Sequence, residues 1–235
     1  MTIINNLNSE LEKLKDPEKV KIYQRFFKTG KGEYGEGDIF WGIKVPVSRK
    51  LAKKYKDLSL DELQELISSE IHEKRLIALF ILIIKYKKAD QNSQKQYYAF
   101  YLKNIKHINN WDLIDSSAEH IVGNYLADKP KDILYKLARS IDLWERRIAV
   151  MSTFGYIKKQ EFKDTLQISE ILLSDSHDLI HKAVGWMLRE IGNRDLIKEE
   201  EFLKKHYKKM PRTMLRYAIE KFEETKRQGY LKGNI

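Results

Sequence analysis

Apolar residues recur at i, i+3, i+4 and i+7 along nearly the whole 235-residue chain, the period of a helix with one buried face. No alternating β-branched run exceeds a few residues, and only four prolines interrupt the pattern. The spacing predicts helices over 3–15, 17–28, 46–57, 60–69, 72–88, 92–106, 110–127, 130–140, 142–157, 161–174, 177–192, 199–209 and 211–227. Their starts carry chemical signals. Ser59 and Glu62 form an S-x-x-E capping box, in which each side chain serves the other's backbone N–H. Pro46, Pro130 and Pro211 suit first-turn positions, where a missing N–H costs nothing. Asn110 can cap the helix behind it, and Asp112 places negative charge in that helix's first turn.

The longer helices repeat. Arg75 in HEKRLIALF, Trp111 in WDLID, Arg147 in WERRIAVMSTF, Lys182 in IHKAVGWML and Arg216 in RTMLRYAIEKF follow one another at 36, 36, 35 and 34 residues. A period near 35 with two helices per unit predicts an all-α solenoid of degenerate HEAT- or armadillo-like repeats, in one domain over 1–235. Stacked units would align these five positions as a row on a concave face. Four of the five are cationic, which suits a phosphate backbone, because each contact releases condensed counterions. The plainer alternative is a set of solvated helix faces with local i,i+4 ion pairs.

Residues 29–46 (TGKGEYGEGDIFWGIKVP) break the helical period and hold five of the eleven glycines. Gly30–Gly35 spells G-x-G-x-x-G. No strand precedes it and no helix opens at its third glycine, so the dinucleotide reading fails. The segment is expected to be a mobile loop that a ligand could order.

Charge narrows the partner. The net charge is +10, a balance that favours polyanions. Residues 198–235 hold eleven Lys/Arg against six Glu. With no cysteine there is no disulfide, thiol chemistry or Cys-ligated metal, which fits a reducing cytoplasm. The opening MTIINNLNSELEKLK lacks a signal-peptide pattern, and the longest apolar run, LIALFILII, is too short to span a bilayer. A soluble cytoplasmic monomer without a membrane partner is expected.

Candidate chemistry centres on Trp111 and Asp115. Four residues apart, they share a helix face, so a π-face and a carboxylate stand side by side, a pair that can stabilise a cation. Asp115 and Arg147 fall in neighbouring repeats, where the arginine would hold the carboxylate ionised and reach a phosphate. Trp186 lies four residues from Lys182, on the same face. Either tryptophan could instead fill the core. His177 and His181 share a face but have no evident third ligand, so no metal site is expected.

Together WDLID, WERRIA and KAVGWMLRE resemble the AlkD-type DNA alkylation repair family, the HEAT-like-repeat DNA glycosylases. FFKTG and FWGIKVPVSRK are similar to that family's second and third helices, and the resemblance runs from about residue 17 to 220. It implies removal of N3- or N7-alkylated purines from double-stranded DNA without a cofactor. Asp115 matches the catalytic carboxylate. Trp111 and Trp186 match aromatics that pack on the deoxyribose and backbone, and Arg147 matches the arginine supporting the carboxylate and the phosphate. Phe26 stands where the family has a DNA-contacting tyrosine, and the glycine-rich segment after it is longer than in the best-known members. Lys44, Arg49, Arg75, Lys182, Arg189 and Arg216 are the remaining expected DNA contacts. A DNA- or RNA-binding repeat protein without excision is the alternative, and a protein-interaction scaffold is a more distant one.

Overall fold

The computed structural model describes residues 2–235. The chain is all-α, and among the described residues the only β pairing is a single bridge between Ile39 and Ile71. No helix among these residues is long and apolar enough to cross a membrane. The chain forms two compact units, one ending at Ser117 and the other beginning at Ala118.

The first unit contains α1 (Ile3–Glu12), α2 (Pro17–Phe26), α3 (Val45–Lys54), α4 (Leu60–Ile67), α5 (His72–Lys88), α6 (Gln91–Lys103) and α7 (Trp111–Asp115). Its centre is α5. From Leu76 to Ile83 this helix is apolar on every side and wholly buried, as a helix surrounded by partners must be. Helices α3, α4, α6 and α7 pack against it. Each Leu or Ile so enclosed contributes about 1.5–3 kcal/mol relative to exposure. The Ser59–Glu62 capping box forms as its spacing predicts. Pro46 occupies the first turn of α3, one residue later than expected.

The second unit contains α8 (Asn124–Leu126), α9 (Asp132–Leu137), α10 (Leu143–Ser152), α11 (Phe154–Lys158), α12 (Lys163–Ile171), α13 (Asp178–Gly192), α14 (Leu196–His206), α15 (Arg212–Ala218) and α16 (Glu224–Lys232). Here α13 is central, packed by α10, α12, α14 and α15. It approaches α15 closely at Gly185, where an added Cβ would lie 2.4 Å from the Met214 carbonyl oxygen and 2.5 Å from Tyr217 Cβ.

Two predicted helices are broken where hydroxyls compete for backbone carbonyls. The helix expected over 110–127 stops at Asp115. Ser116 and Ser117 both donate back to the Leu113 carbonyl, and a π turn follows at Glu119–Gly123. The helix expected over 142–157 divides at Thr153, where Ser152 donates to Ile148 O and Thr153 to Val150 O.

The glycine-rich segment is not the free loop that its composition suggests. The Glu73 carboxylate, 2% exposed, accepts the backbone N–H groups of Trp41, Gly42 and Ile43 at 2.9–3.1 Å. The Ile39 carbonyl accepts the His72 N–H, and the Trp41 carbonyl accepts that of Asp16. In the G-x-G-x-x-G stretch, Glu33 and Glu36 already occupy the amides of Gly30 and Gly32, which a phosphate would need.

Because Gly185 faces backbone rather than a flexible side-chain end, Gly185→Ala should destabilise the protein by about 1–3 kcal/mol. Urea unfolding of the variant against wild type measures this directly.

Candidate functional site

Helix α7 is only five residues long, too short to persist without tertiary support. It nevertheless carries Trp111 and Asp115, both half-buried and one turn apart. Trp111 stacks on Phe27 (5.3 Å between centroids, 20° between planes) and meets Phe26 edge-on at 5.8 Å. Phe27 in turn stacks on Phe40, and Phe40 on the His72 ring. Phe26, at the end of α2, is 61% exposed and extends this aromatic set into solvent.

Beneath the aromatics is a buried ionic cluster. Asp38 accepts from Arg75 Nη2 at 2.6 Å and lies 2.8 Å from His72 Nδ1. His72 Nε2 lies 2.9 Å from Asp112 Oδ2. Asn110 Nδ2 donates to Asp38 at 3.0 Å, while Asn110 Oδ1 caps the Trp111 N–H at 2.8 Å. Burial opposes the His72 charge, but the Asp112 and Asp38 carboxylates outweigh it and push the ring up to about 9. Burial likewise opposes the charge of Asp38, and its contacts with His72 and Arg75 leave it below the ordinary carboxylate value.

Arg75 therefore does not belong to an open cationic row. It is 4% exposed, and its Nη1 donates to the carbonyls of Ser69 and Glu70, six and five residues earlier. Arg146 repeats this clasp in the second unit. Its Nη1 donates to Ser140 O and Ile141 O, again six and five residues earlier, and its Nε donates to Asp175. His181 pairs with the carbonyl of Asp175, also six residues earlier. The structural equivalent of Arg75 is thus Arg146, not Arg147. Aligned letter for letter, HEKR and WERR set Arg75 opposite Arg147 and Lys74 opposite Arg146, so the motifs by themselves point to the wrong arginine.

The other expected residues are placed as follows. In the first unit, Lys44 is the exposed cap residue of α3, and exposed Arg49 lays its guanidinium 4.1 Å over the Phe80 ring. In the second unit, Arg147 is 4% exposed and donates to the Leu179 carbonyl. Lys182, Trp186 and Arg189 lie along one face of α13. Lys182 pairs with Asp178 at 2.6 Å and Arg189 with Glu220. Trp186 is half-buried against Phe154 and donates to Glu190. Arg216 is exposed on α15. His177 caps α13 through the Leu179 N–H, and among the described residues no His, Asp and Glu group gathers as metal ligands. The sequence reading did not single out Asp38, His72 or Arg146. Asp38 is hidden in a glycine-rich run, and His72 precedes the apolar stretch that draws attention to α5.

The raised His72 makes stability depend on pH in a definite direction. Its contribution is fully present below the unfolded-state value near 6.5 and is lost as pH climbs through about 9. Urea unfolding should therefore show a loss of about 3 kcal/mol between pH 6 and pH 9.5 from this group. His72→Gln should flatten that part of the profile.

Solved structures that share the fold include the following. The "Predicted DNA alkylation repair enzyme from Enterococcus faecalis" superposes with a TM-score of 0.69 at 17% identity, covering 89% of this chain and 97% of its own. AlkD2 from Streptococcus mutans gives 0.56 at 16% identity, covering 87% and 97% respectively. The smu.31 protein from Streptococcus mutans UA159 gives 0.54 at 17%, covering 94% and 99%. No curated protein matches the sequence. The model of the DNA alkylation repair enzyme family matches residues 7–222, nearly the whole chain. The chain belongs to the DNA alkylation repair enzyme family.

Proposed function

We propose that this protein is a DNA glycosylase that hydrolyses the N-glycosidic bond of cationic N3- or N7-alkylated purines in double-stranded DNA. The observation that carries the reading is the pairing of Trp111 with Asp115 on one anchored turn, in a chain of this repair family. A purine alkylated at N3 or N7 is already a good leaving group, since its positive charge is neutralised as the bond breaks. The bonding electron pair goes to the base, and an oxocarbenium-like sugar remains. The Asp115 carboxylate stabilises that cation, accepts a proton from a water attacking C1′, and passes it to solvent. Trp111 presents its π-face to the same positive charge, adding about 1–2 kcal/mol where water is excluded. Catalysis of this kind uses no metal or cofactor. In the second unit Lys182, Trp186, Arg189 and exposed Arg216 are assigned to the DNA backbone, and in the first unit exposed Lys44 and Arg49.

A DNA-binding protein without excision is the second reading. The observation that favours it is Phe26, whose exposed ring offers stacking surface but no hydroxyl.

Base release from duplex DNA carrying N7-methylguanine tests the proposal. Wild type should release the base, and Asp115→Asn should be slower by on the order of 100-fold or more, the scale of losing one preorganised electrostatic group. DNA affinity should stay within about twofold, since a buried or positioning carboxylate adds little phosphate contact. Binding without release by wild type would move the protein to the second reading.

A further inference from the structure

Two side chains in the first turn of α7 each serve two masters. Asn110 caps the Trp111 N–H with its oxygen and donates to Asp38 with its nitrogen. Asp112 accepts the Leu113 N–H with Oδ1 and faces His72 with Oδ2. The turn that holds Trp111 and leads to Asp115 is thus tied twice to the same buried cluster.

His72 is the link between the halves of that cluster. Its two ring nitrogens face carboxylates at 2.8 and 2.9 Å. A neutral imidazole has one N–H and one lone pair, so it would set a lone pair against one of the two carboxylates. Only the doubly protonated ring satisfies both. With that proton, Asp38, Asp112, Arg75 and His72 sum to zero charge. Without it a net negative charge is left on a cluster in which the Asp38 and His72 side chains are each 2% exposed. On the Asp38 and Arg75 side the cluster borders a cavity that Glu36, Glu70, Lys106 and His107 also line. Glu73, also on α5, is occupied by the amides of residues 41–43. From the other sides Phe27 and Phe40 cover the ring. His107 lies close enough to feel Arg75.

We infer that His72 is a positioning residue: clamped as an imidazolium between Asp38 and Asp112, it sets the first turn of α7, and base excision fails in alkaline solution as the ring loses its proton. The excision part rests on the glycosylase reading; the positioning part does not.

The test uses the full chain. Ring ¹⁵N resonances of His72 and the backbone amide of Trp111 are followed from pH 6.5 to 10, alongside single-turnover release of N7-methylguanine with the Asp115→Asn background subtracted. Both ring nitrogens should be protonated at pH 7.5 and titrate near 9, with the Trp111 amide and the release rate changing over the same range. Asp112→Asn is the variant of choice because its side chain is 15% exposed, against 2% for His72. It should slow release on the order of 100-fold, as loss of alignment does, and move the alkaline fall to lower pH. A singly protonated ring at pH 7.5 would overturn the inference. So would a Trp111 amide indifferent to that titration, or Asp112→Asn with the wild-type rate and pH profile. If wild type releases no base at any pH, the glycosylase reading fails alone, and the Trp111 amide still decides the positioning role.

Discussion

Burying a charge costs several kcal/mol unless partners replace the water it loses, and in the first unit buried Asp38, Glu73, His72 and Arg75 are gathered around the irregular backbone before α3 and α7. Asp38 and Glu73 hold the segment before α3, alongside its buried Phe40 and Ile43. Glu73 does so with three backbone amides. Asp38 does so with Arg75, His72 and Asn110. Because the same cluster also receives Asp112, the glycine-rich segment and the Trp111–Asp115 turn share one anchor. A five-residue helix too short to stand alone thereby becomes a defined platform for Trp111 and Asp115.

The clasp formed by Arg75 and again by Arg146 shows how degenerate repeats are preserved physically. Each guanidinium closes the turn before its helix by binding carbonyls five and six residues back, and each is balanced by an aspartate from elsewhere in its own unit. The planar fork of arginine suits this use, because several donors can meet carbonyls and a carboxylate at once. Charge that looks available for DNA when read along a line is consumed internally. The cations left for a polyanion are the exposed ones, such as Lys44, Arg49 and Arg216.

For the proposed removal of alkylpurines, the economy of the α7 turn is apt. A cationic base needs little help to leave, so a carboxylate and an aromatic face are a sufficient equipment list. What such a mechanism demands is fixed geometry, since electrostatic stabilisation works only when the groups are in place before charge develops. The stacked run from Trp111 through Phe27 and Phe40 to His72 supplies that rigidity from below.

Most of the helices were legible because burial of one face imposes the 3.6-residue period on the residues themselves. The Ser59–Glu62 box, the Asn110 cap and the Trp111–Asp115 pairing are local, decided within four residues, and could be read without a fold. The breaks after Asp115 and at Thr153 were not legible. Serine and threonine tolerate a helix, and only the packed structure decides whether their hydroxyls turn back onto the carbonyls. Nor could spacing alone separate Arg146 from Arg147, adjacent residues in WERR that point in different directions. Asp38, His72 and Asp112 are 34 and 40 residues apart, and nothing in a linear pattern marks such groups as partners. Their pairing exists only once folding has removed the water that would otherwise have served each of them.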